Sequence, residues 1–406
     1  MVTIPRETEI AIVGGGLVGL SLACALGQAG FEVVVLDAQP AETRLDATFD
    51  GRASALAAAS ARMLEGLGLW AELVEYAQPL LEIRVSDGSS SLHLHYDHAE
   101  VGEGPLGFMV ENRRTIAALH GRAEASGRVV HAAPARIATL EREPGRVVLG
   151  HPGGSIWARL VIAADGRASS LRAMAGIGAR TVSYPQTGIV CTVRHERPHQ
   201  GIAHERFLPA GPFAILPLTG NRSSLVWTER DFLAPGILAL SEDEFLDELR
   251  LRFGDFLGRL ALEGPRWSYG LALVTAERLT AERLVLVGDA AHAIHPIAGQ
   301  GFNLGLRDAA VLAEVLADAR AVGLDPGDGT VLERYGRWRR ADALMLAAVT
   351  DGLNRLFSND VAPVRLARDL GLGIVDRLPP LKRLFMRHAM GTLGTLPRLL
   401  KGQPVA

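Results

Sequence analysis

The sequence predicts an α/β fold: a Rossmann-like domain, an antiparallel β-sheet domain inserted into it, and a helical carboxyl-terminal segment. Three observations carry this prediction. Residues 9–37 read as strand, glycine turn, helix and strand, ending on an acid. The apolar run Leu284–Val287 has the composition of a buried parallel strand, stops at Gly288-Asp289, and gives way to a helix near Gln300. Between those units, from about Thr181 to Tyr269, the pattern changes to short alternating segments joined by turns.

Composition sets the outer limits. The 406 residues suit two or three domains, at about 100–200 residues each. Hydrophobic residues at 48% and charged residues at 21% supply a large core and speak against disorder. A net charge of −3 gives no reason to expect nucleic acid as a partner. Cys24 and Cys191 sit inside apolar runs, which fits a reduced, cytoplasmic chain without disulfides. No cysteine or histidine spacing predicts a metal site, and His93 and His95 alternate along a strand-like stretch as exposed residues. From Ile10 to Phe31 no residue is charged, which is long enough to imitate a membrane span. Six glycines in that run would break a single helix, so it divides into strand, turn and helix instead.

The first unit is strand Glu9–Val13, turn Gly14–Gly16, helix Leu17–Ala29 and strand Phe31–Leu36, closed by Asp37. In G-x-G-x-x-G, Gly14 allows the tight turn, Gly16 lets backbone approach a pyrophosphate, and Gly19 lets the helix lie close to the sheet. Asp37 stands where an acid accepts from ribose hydroxyls. Next, Arg52 opens an alanine-rich helix ending near Leu67, placed either to pair with phosphate or to remain solvated. Ile83–Asp87 and Ser91–Tyr96 read as a hairpin around Asp87-Gly88. A helix follows at Glu111–Ser126, opened by Arg113 and Arg114, cations that oppose the helix dipole unless an anion lies nearby. After strand Val129–Ala132, the segment Leu160–Ala164 delivers Asp165 at its end, with Arg172 seven residues later. Those two either pair and fix the turn, or contact cofactor phosphate or a second nucleotide.

The inserted region offers strands Gly188–His195, Ala203–Leu208, Phe213–Leu218 and Ser223–Thr228, then a helix Ser241–Phe256 opened by a capping pattern. Such an insertion suits a domain that covers the cofactor and selects substrate. The expected boundaries are 1–75, 108–180 and 276–330 for the nucleotide-binding domain, 76–107 and 181–275 for the substrate domain, and 331–406 for the helical segment. At Leu284–Asp308 a carboxylate, Asp289, stands at the carboxyl edge of the sheet, where open α/β sheets bind ligands. The helix amides near Gln300–Asn303 favour an anion.

The ordered set GGGLVG, DGRASAL, DGRASSLR and GDAAHAIHPIAGQGFNLGLRD resembles the class A flavoprotein monooxygenases, and within them the ubiquinone-biosynthesis hydroxylases. The resemblance spans roughly residues 5–390. It implies FAD, with NAD(P)H and O2 as co-substrates, and ring hydroxylation of a prenylated aromatic small molecule through a C4a-hydroperoxyflavin. It further implies that Asp289 holds the flavin ribitol, that Gly14, Gly16, Gly19 and Asp37 hold the ADP half, and that Arg52 and Arg113 make further cofactor contacts. Asp165 joins this set on its second reading. Amides at Gly301, Phe302 and Asn303 suit the negative charge of reduced flavin. Pro296 matches a proline beside the reacting face, and the Gly299-Gln300-Gly301 loop favours hydroxylation over plain redox chemistry. His295 is either a base or a packed structural histidine. His292 reads as a turn residue bonded to backbone. The family commonly carries glutamate where Asp37 stands, a shortening by one methylene. Other readings are a same-fold oxidoreductase acting on another aromatic or isoprenoid substrate, or a non-catalytic subunit of a quinone-biosynthesis assembly.

Residues 361–406 carry eight Lys/Arg against two Asp/Glu. Leu381, Leu384, Phe385 and His388 fall at helical spacing among the cations, as in a basic amphipathic helix. The segment therefore suits contact with the inner membrane surface or with an acidic partner in a biosynthetic complex. A helix covering the nucleotide domain, or a contact in a homo-oligomer, fits the same pattern.

Overall fold

A continuous apolar run makes Glu7–Val13 the middle of the first sheet. Ile10, Ala11 and Ile12 are fully buried, as a parallel strand covered on both faces requires. In this computed structural model, which describes residues 4–46, 51–88, 93–102, 104–294, 300–340 and 377–405, that strand pairs in parallel with Val33–Leu36 and with Gly154–Ala163. The sheet continues from Val33–Leu36 to Val129–Ala132, and from Gly154–Ala163 to Leu284–Leu286. Register sets Val13 beside Leu36 and Ala163, and Ala163 beside Leu286. Gly14, Asp37, Ala164 and Val287 consequently line one edge.

Helices Leu17–Gln28, Asn112–Ala125 and Gln300–Ala321 cover one face of this sheet. Two close approaches need glycine. A Cβ on Gly19 would sit 1.9 Å from the Gly14 carbonyl oxygen, and one on Gly305 would sit 2.4 Å from Val18. The uncharged stretch Ile10–Phe31 is thus strand, turn and helix. Among the described residues no helix is long and apolar enough to cross a membrane.

The second sheet has the order His292–Ala293, Leu260–Ala276, Ala179–His195, Arg222–Arg230, Gly211–Leu218, Ile202–Leu208, Glu82–Asp87, His93–Asp97. Its pairs are antiparallel except Ile202–Leu208 with Glu82–Asp87, which come from separate excursions of the chain and run parallel. Helix Glu242–Phe253, closed by the predicted capping box of Ser241 and Glu244, covers one face. There Phe245, Leu249 and Phe253 meet Phe213, Ile215, Leu225 and Trp227. Strand alternation turns Val190, Ala214, Val226 and Glu205 to the opposite face.

Leu260–Ala276 is a strand that the sequence reading lacked. Gly264-Pro265 reads as a turn, yet the strand absorbs it as an irregularity between the Thr192–Glu263 and Val190–Trp267 pairs. A small third sheet, Ala53–Ala57, Gly107–Glu111 and Gln78–Leu80, lies between the two lobes. An ion chain spans the same junction. Arg222 of the second sheet bonds Glu263 at 2.7 Å and Glu111 at 3.3 Å, and Glu111 bonds Arg113 at 3.1 Å. Burial of Arg222 opposes its charge, but the two glutamates hold its guanidinium above its ordinary value.

The described part of the tail packs on the body. Met386 and Met390 are buried against Ala58 and Leu106, and Lys382 bonds Glu100 at 2.7 Å. Arg398 is tied to Asp318 at 2.5 Å. Gly19→Ala should cost about 1–3 kcal/mol, the range for forced overpacking. Gly121→Ala, in an exposed helical site with no atom within 4 Å of the new Cβ, should instead stabilise by about 0.5–1 kcal/mol. Urea denaturation of the two variants against the wild type checks both signs.

Candidate active site

The nucleotide end is built at the carboxyl edge of the first sheet. Gly14 adopts φ +112° beneath the Ala164 carbonyl, and its amide donates to Leu36 O at 2.9 Å. Gly16 caps helix Leu17–Gln28 without any side-chain bond, and a Cβ there would meet no atom within 4 Å. Open space thus lies before unoccupied helix amides, as an incoming pyrophosphate needs. Asp37 is buried at the strand end, where its Oδ1 accepts from Gln39 N at 3.1 Å. Gly15, to which the motif assigns no role, is also constrained: a Cβ there would lie 2.6 Å from Asp37 Oδ2 and 2.7 Å from His131 Nε2. His131 is the sole polar residue of strand Val129–Ala132, and that was its only signal in the sequence.

Asp289 projects from a one-turn 3-10 helix, Gly288–Ala290, that is otherwise buried. Gly288 takes φ +58°, which favours glycine. Two clamps fix the turn. Arg172 Nη1 donates to Ala290 O at 2.8 Å, and Gly288 N donates to Asp308 Oδ2 at 2.9 Å. Asp308 is 0% exposed, with Arg339 Nε at 2.6 Å and His292 Nε2 at 2.7 Å. Burial alone would raise the Asp308 carboxyl, but His292 and Arg339 hold it below its ordinary value. His292 therefore meets a carboxylate, not the backbone expected of it. Tyr335, one helical turn from Arg339, donates to Leu286 O at 2.9 Å in the strand that leads to Asp289. The Asp289 side chain itself is accessible in the cleft. Protein crowding pushes its carboxyl above its ordinary value, opposed by the charges of His292, Arg52 and Arg167.

Helix Gln300–Ala321 begins beside this turn with no acid in its first turn. A Cβ on Gly301 would meet nothing within 4 Å, and Phe302 packs on the main core. The Asn303 side chain is engaged elsewhere. Its Nδ2 donates to Ala55 O at 2.7 Å, and its Oδ1 accepts from Ala57 N at 2.9 Å. Asn303 thus laces strand Ala53–Ala57 to the helix and leaves only backbone for a ligand. Gln300 lies at the helix start, while His295, Pro296 and Gly299 fall outside the described residues.

Other predicted contacts have protein partners. Arg113 finds its anion in Glu111, the residue that caps its own helix, which accounts for a cation at that helix end. Asp165 does not pair with Arg172. It accepts from Ser169 Oγ and from Leu171 N at 3.1 Å, capping helix Ser170–Met174, while Arg172 reaches Ala290. Arg52 is exposed and stands between Asp289 and a cavity under the second sheet. On the outer hairpin, Glu82, His95 and Asp97 bring ligand atoms within 4.8 Å, but Glu82 is already bonded to Arg84 at 2.7 Å.

That cavity is bounded by Ala53 and Ala55 on one side and by the open sheet face on the other. Its walls are mostly apolar, with Arg52, Glu205, Ser224, Thr228 and Tyr269 as polar exceptions. Burial pushes the Glu205 carboxyl up to about 7. Of these five polar residues the sequence pointed only to Arg52.

The whole arrangement fits FAD: an open glycine turn before free helix amides, a buried acid, Asp37, at the end of the next strand, and Asp289 held out from a clamped turn. Residues 7–348 match the family described as FAD binding domain. Over 404 residues the chain is 55% identical to ubiquinone hydroxylase UbiL of Rhodospirillum rubrum, covering 98% of this chain and 94% of that protein. It is 38% identical to 3-demethoxyubiquinol 3-hydroxylase of Escherichia coli, covering 95% and 99%. Among solved structures, p-nitrophenol 4-monooxygenase PnpA from Pseudomonas putida DLL-E4 shares the fold with a TM-score of 0.80. That match covers 96% of this chain and 100% of that one, at 21% identity.

Asp308→Asn should cost about 3–5 kcal/mol at pH 7, because it removes the buried charge that Arg339 meets at 2.6 Å. The lowered carboxyl contributes stability that is fully present above the unfolded value near 3.8 and lost as pH falls through its folded value. The deficit of the variant should therefore shrink below about pH 4. Urea midpoints measured from pH 7 to 3 test both statements.

Proposed function

This chain belongs to the FAD binding domain family of class A flavin monooxygenases, and on that premise we propose that it hydroxylates the aromatic ring of a polyprenylated phenol or quinone precursor in ubiquinone biosynthesis. One juxtaposition supports the reading most directly. The clamped Asp289 turn and the start of helix Gln300–Ala321 lie on one side of strand Ala53–Ala57, and the apolar cavity lies on the other. FAD, reduced by NAD(P)H, supplies the activation of O2 when bound. The chain's own residues bind, orient and exclude water. Asp37 and the Gly14–Gly16 turn take the ADP half, Asp289 takes polyol hydroxyls, and the amides at Gly301–Asn303 favour negative charge. An apolar cavity with few polar groups suits an aromatic ring carrying a long hydrocarbon substituent.

The tail supports a second element of the proposal, attachment to the membrane surface where such a substrate resides. Helix Pro379–Ala389 spends Lys382 and Met386 on the body of the protein. Its outer side presents Leu384 at 49% and Phe385 at 43% exposure, beside exposed Arg383 and Arg387. Apolar side chains flanked by cations match the surface of an anionic bilayer.

With 18O2, NADPH or NADH and a short-prenyl phenol, the purified protein should place one labelled oxygen on the ring. Unlabelled product, or reduced pyridine nucleotide consumed without product, would contradict hydroxylation. Asp289→Ala should weaken FAD binding by about 10–100-fold, the loss of charged hydrogen bonds, with the circular dichroism spectrum unchanged. Unaltered flavin occupancy would remove Asp289 from that role. The double variant Leu384→Gln, Phe385→Gln should reduce flotation with anionic liposomes while FAD stays bound. Equal flotation would exclude this helix as the lipid contact.

A further inference from the structure

Glu205 is an acid placed where the sheet has no evident structural use for one. It occupies the middle of strand Ile202–Leu208, paired with Ala214 on one side and Val85 on the other. The same row continues across the sheet through Val226 and Val190 to Trp267. Every neighbour in that row is apolar. The residue is 9% exposed, lines the cavity, and has no hydrogen-bond or ion-pair partner among the described residues. Two strands across and one residue pair along on the same face lies Thr228, 1% exposed, whose Oγ1 has no hydrogen-bond partner among the described residues. Two buried polar groups left unsatisfied on one cavity wall are costly, by roughly 1–3 kcal/mol each, unless a ligand completes them.

We propose that Glu205, on the cavity wall it shares with Thr228, receives the ring hydroxyl of the substrate and so fixes which edge of the ring faces the flavin. This rests on the function proposed above and assigns a substrate-positioning group within it. The row that holds Glu205 is otherwise apolar, so its partnerless carboxyl selects a ring that presents a donor at that edge and hydrocarbon to the neighbouring wall. A buried acid with no partner gains most from a neutral donor. A phenolic O–H donating to the carboxylate makes a charge-assisted bond and restores what burial removed.

Few charges compete at that site. Arg52 and Tyr269 stand across the cavity. Asp87 shares the Glu205 face on the neighbouring strand and is itself partnered. Arg222, further along the sheet on that face, is held by Glu111 and Glu263. His204, Arg206 and Arg84 turn to the opposite side, where burial and the two arginines push the His204 imidazole down to about 4. Glu205, raised to about 7 by burial, is therefore the group that changes charge near neutral pH.

The test measures binding of 2-geranylphenol and of its O-methyl ether to the FAD-loaded protein from pH 6 to pH 8.5. The phenol donates to the carboxylate and should bind about tenfold more tightly as pH rises through 7. The ether cannot donate, so it should prefer the protonated acid and bind more weakly as pH rises. Glu205→Gln should flatten both profiles, and Thr228→Val should weaken the phenol while keeping its pH trend. Parallel trends for phenol and ether in the wild type would overturn the proposal without any variant, as would a pH trend that survives in Glu205→Gln. If hydroxylation of the phenol persists alongside such a result, only the Glu205 assignment fails. If the wild type neither binds nor hydroxylates the phenol, the proposed function fails and this assignment with it.

Discussion

The site depends on one buried carboxylate. Asp308 has no exposure, yet it joins three segments: the Gly288 amide, His292 on the far side of the same turn, and Arg339 from helix 329–340. An isolated buried charge would be expensive, so the cluster holds only if every partner is in place. Its consequence is geometric. The turn that carries Asp289 is gripped from inside by Asp308 and from outside by Arg172, which leaves Asp289 as the member of the turn that projects into the cleft. Rigid support of this kind lets a carboxylate meet a cofactor without paying for its own ordering.

A second constraint is the division of labour between the faces of the large sheet. The face under helix Glu242–Phe253 is closed by aromatic packing, with Trp227 between Phe213 and Phe245. The opposite face is left for the cavity, and Asn303 and the Glu111–Arg222 chain hold the two lobes against it. Strand alternation makes this economical, because each strand builds a core with one set of residues and a binding wall with the other. Glu205 and Thr228 are then buried groups without a partner on a mostly apolar wall, which is why a recognition role suits them better than a structural one.

Much of the frame was legible in the sequence because buried parallel strands require uninterrupted apolar runs. Ile10–Val13 and Leu284–Val287 announced themselves in that way, and glycine spacing located the nucleotide turn. What stayed hidden depends on pairing across long separations. Asp308 and Arg339 lie 31 residues apart, and nothing local marks them as partners. The motif marks the backbone of Asn303 for a ligand, but nothing local shows that its side-chain amide ties down a strand 248 residues away. Leu260–Ala276 was concealed by Gly264-Pro265, whose usual meaning is a turn. In His204-Glu205-Arg206 three polar residues look alike, and only register across the sheet shows that the middle one faces the cavity.

The central claim, that this fold hydroxylates a prenylated quinone precursor, is tested most directly in bacterial strains that each lack one ring hydroxylase of ubiquinone synthesis. The chain would be expressed in each strain and the quinone pool analysed by mass spectrometry. Restored ubiquinone in at least one strain is the predicted result, and the strain restored identifies the ring position. Unchanged accumulation of the unhydroxylated precursor in every strain, from a protein shown to carry FAD, would contradict the account.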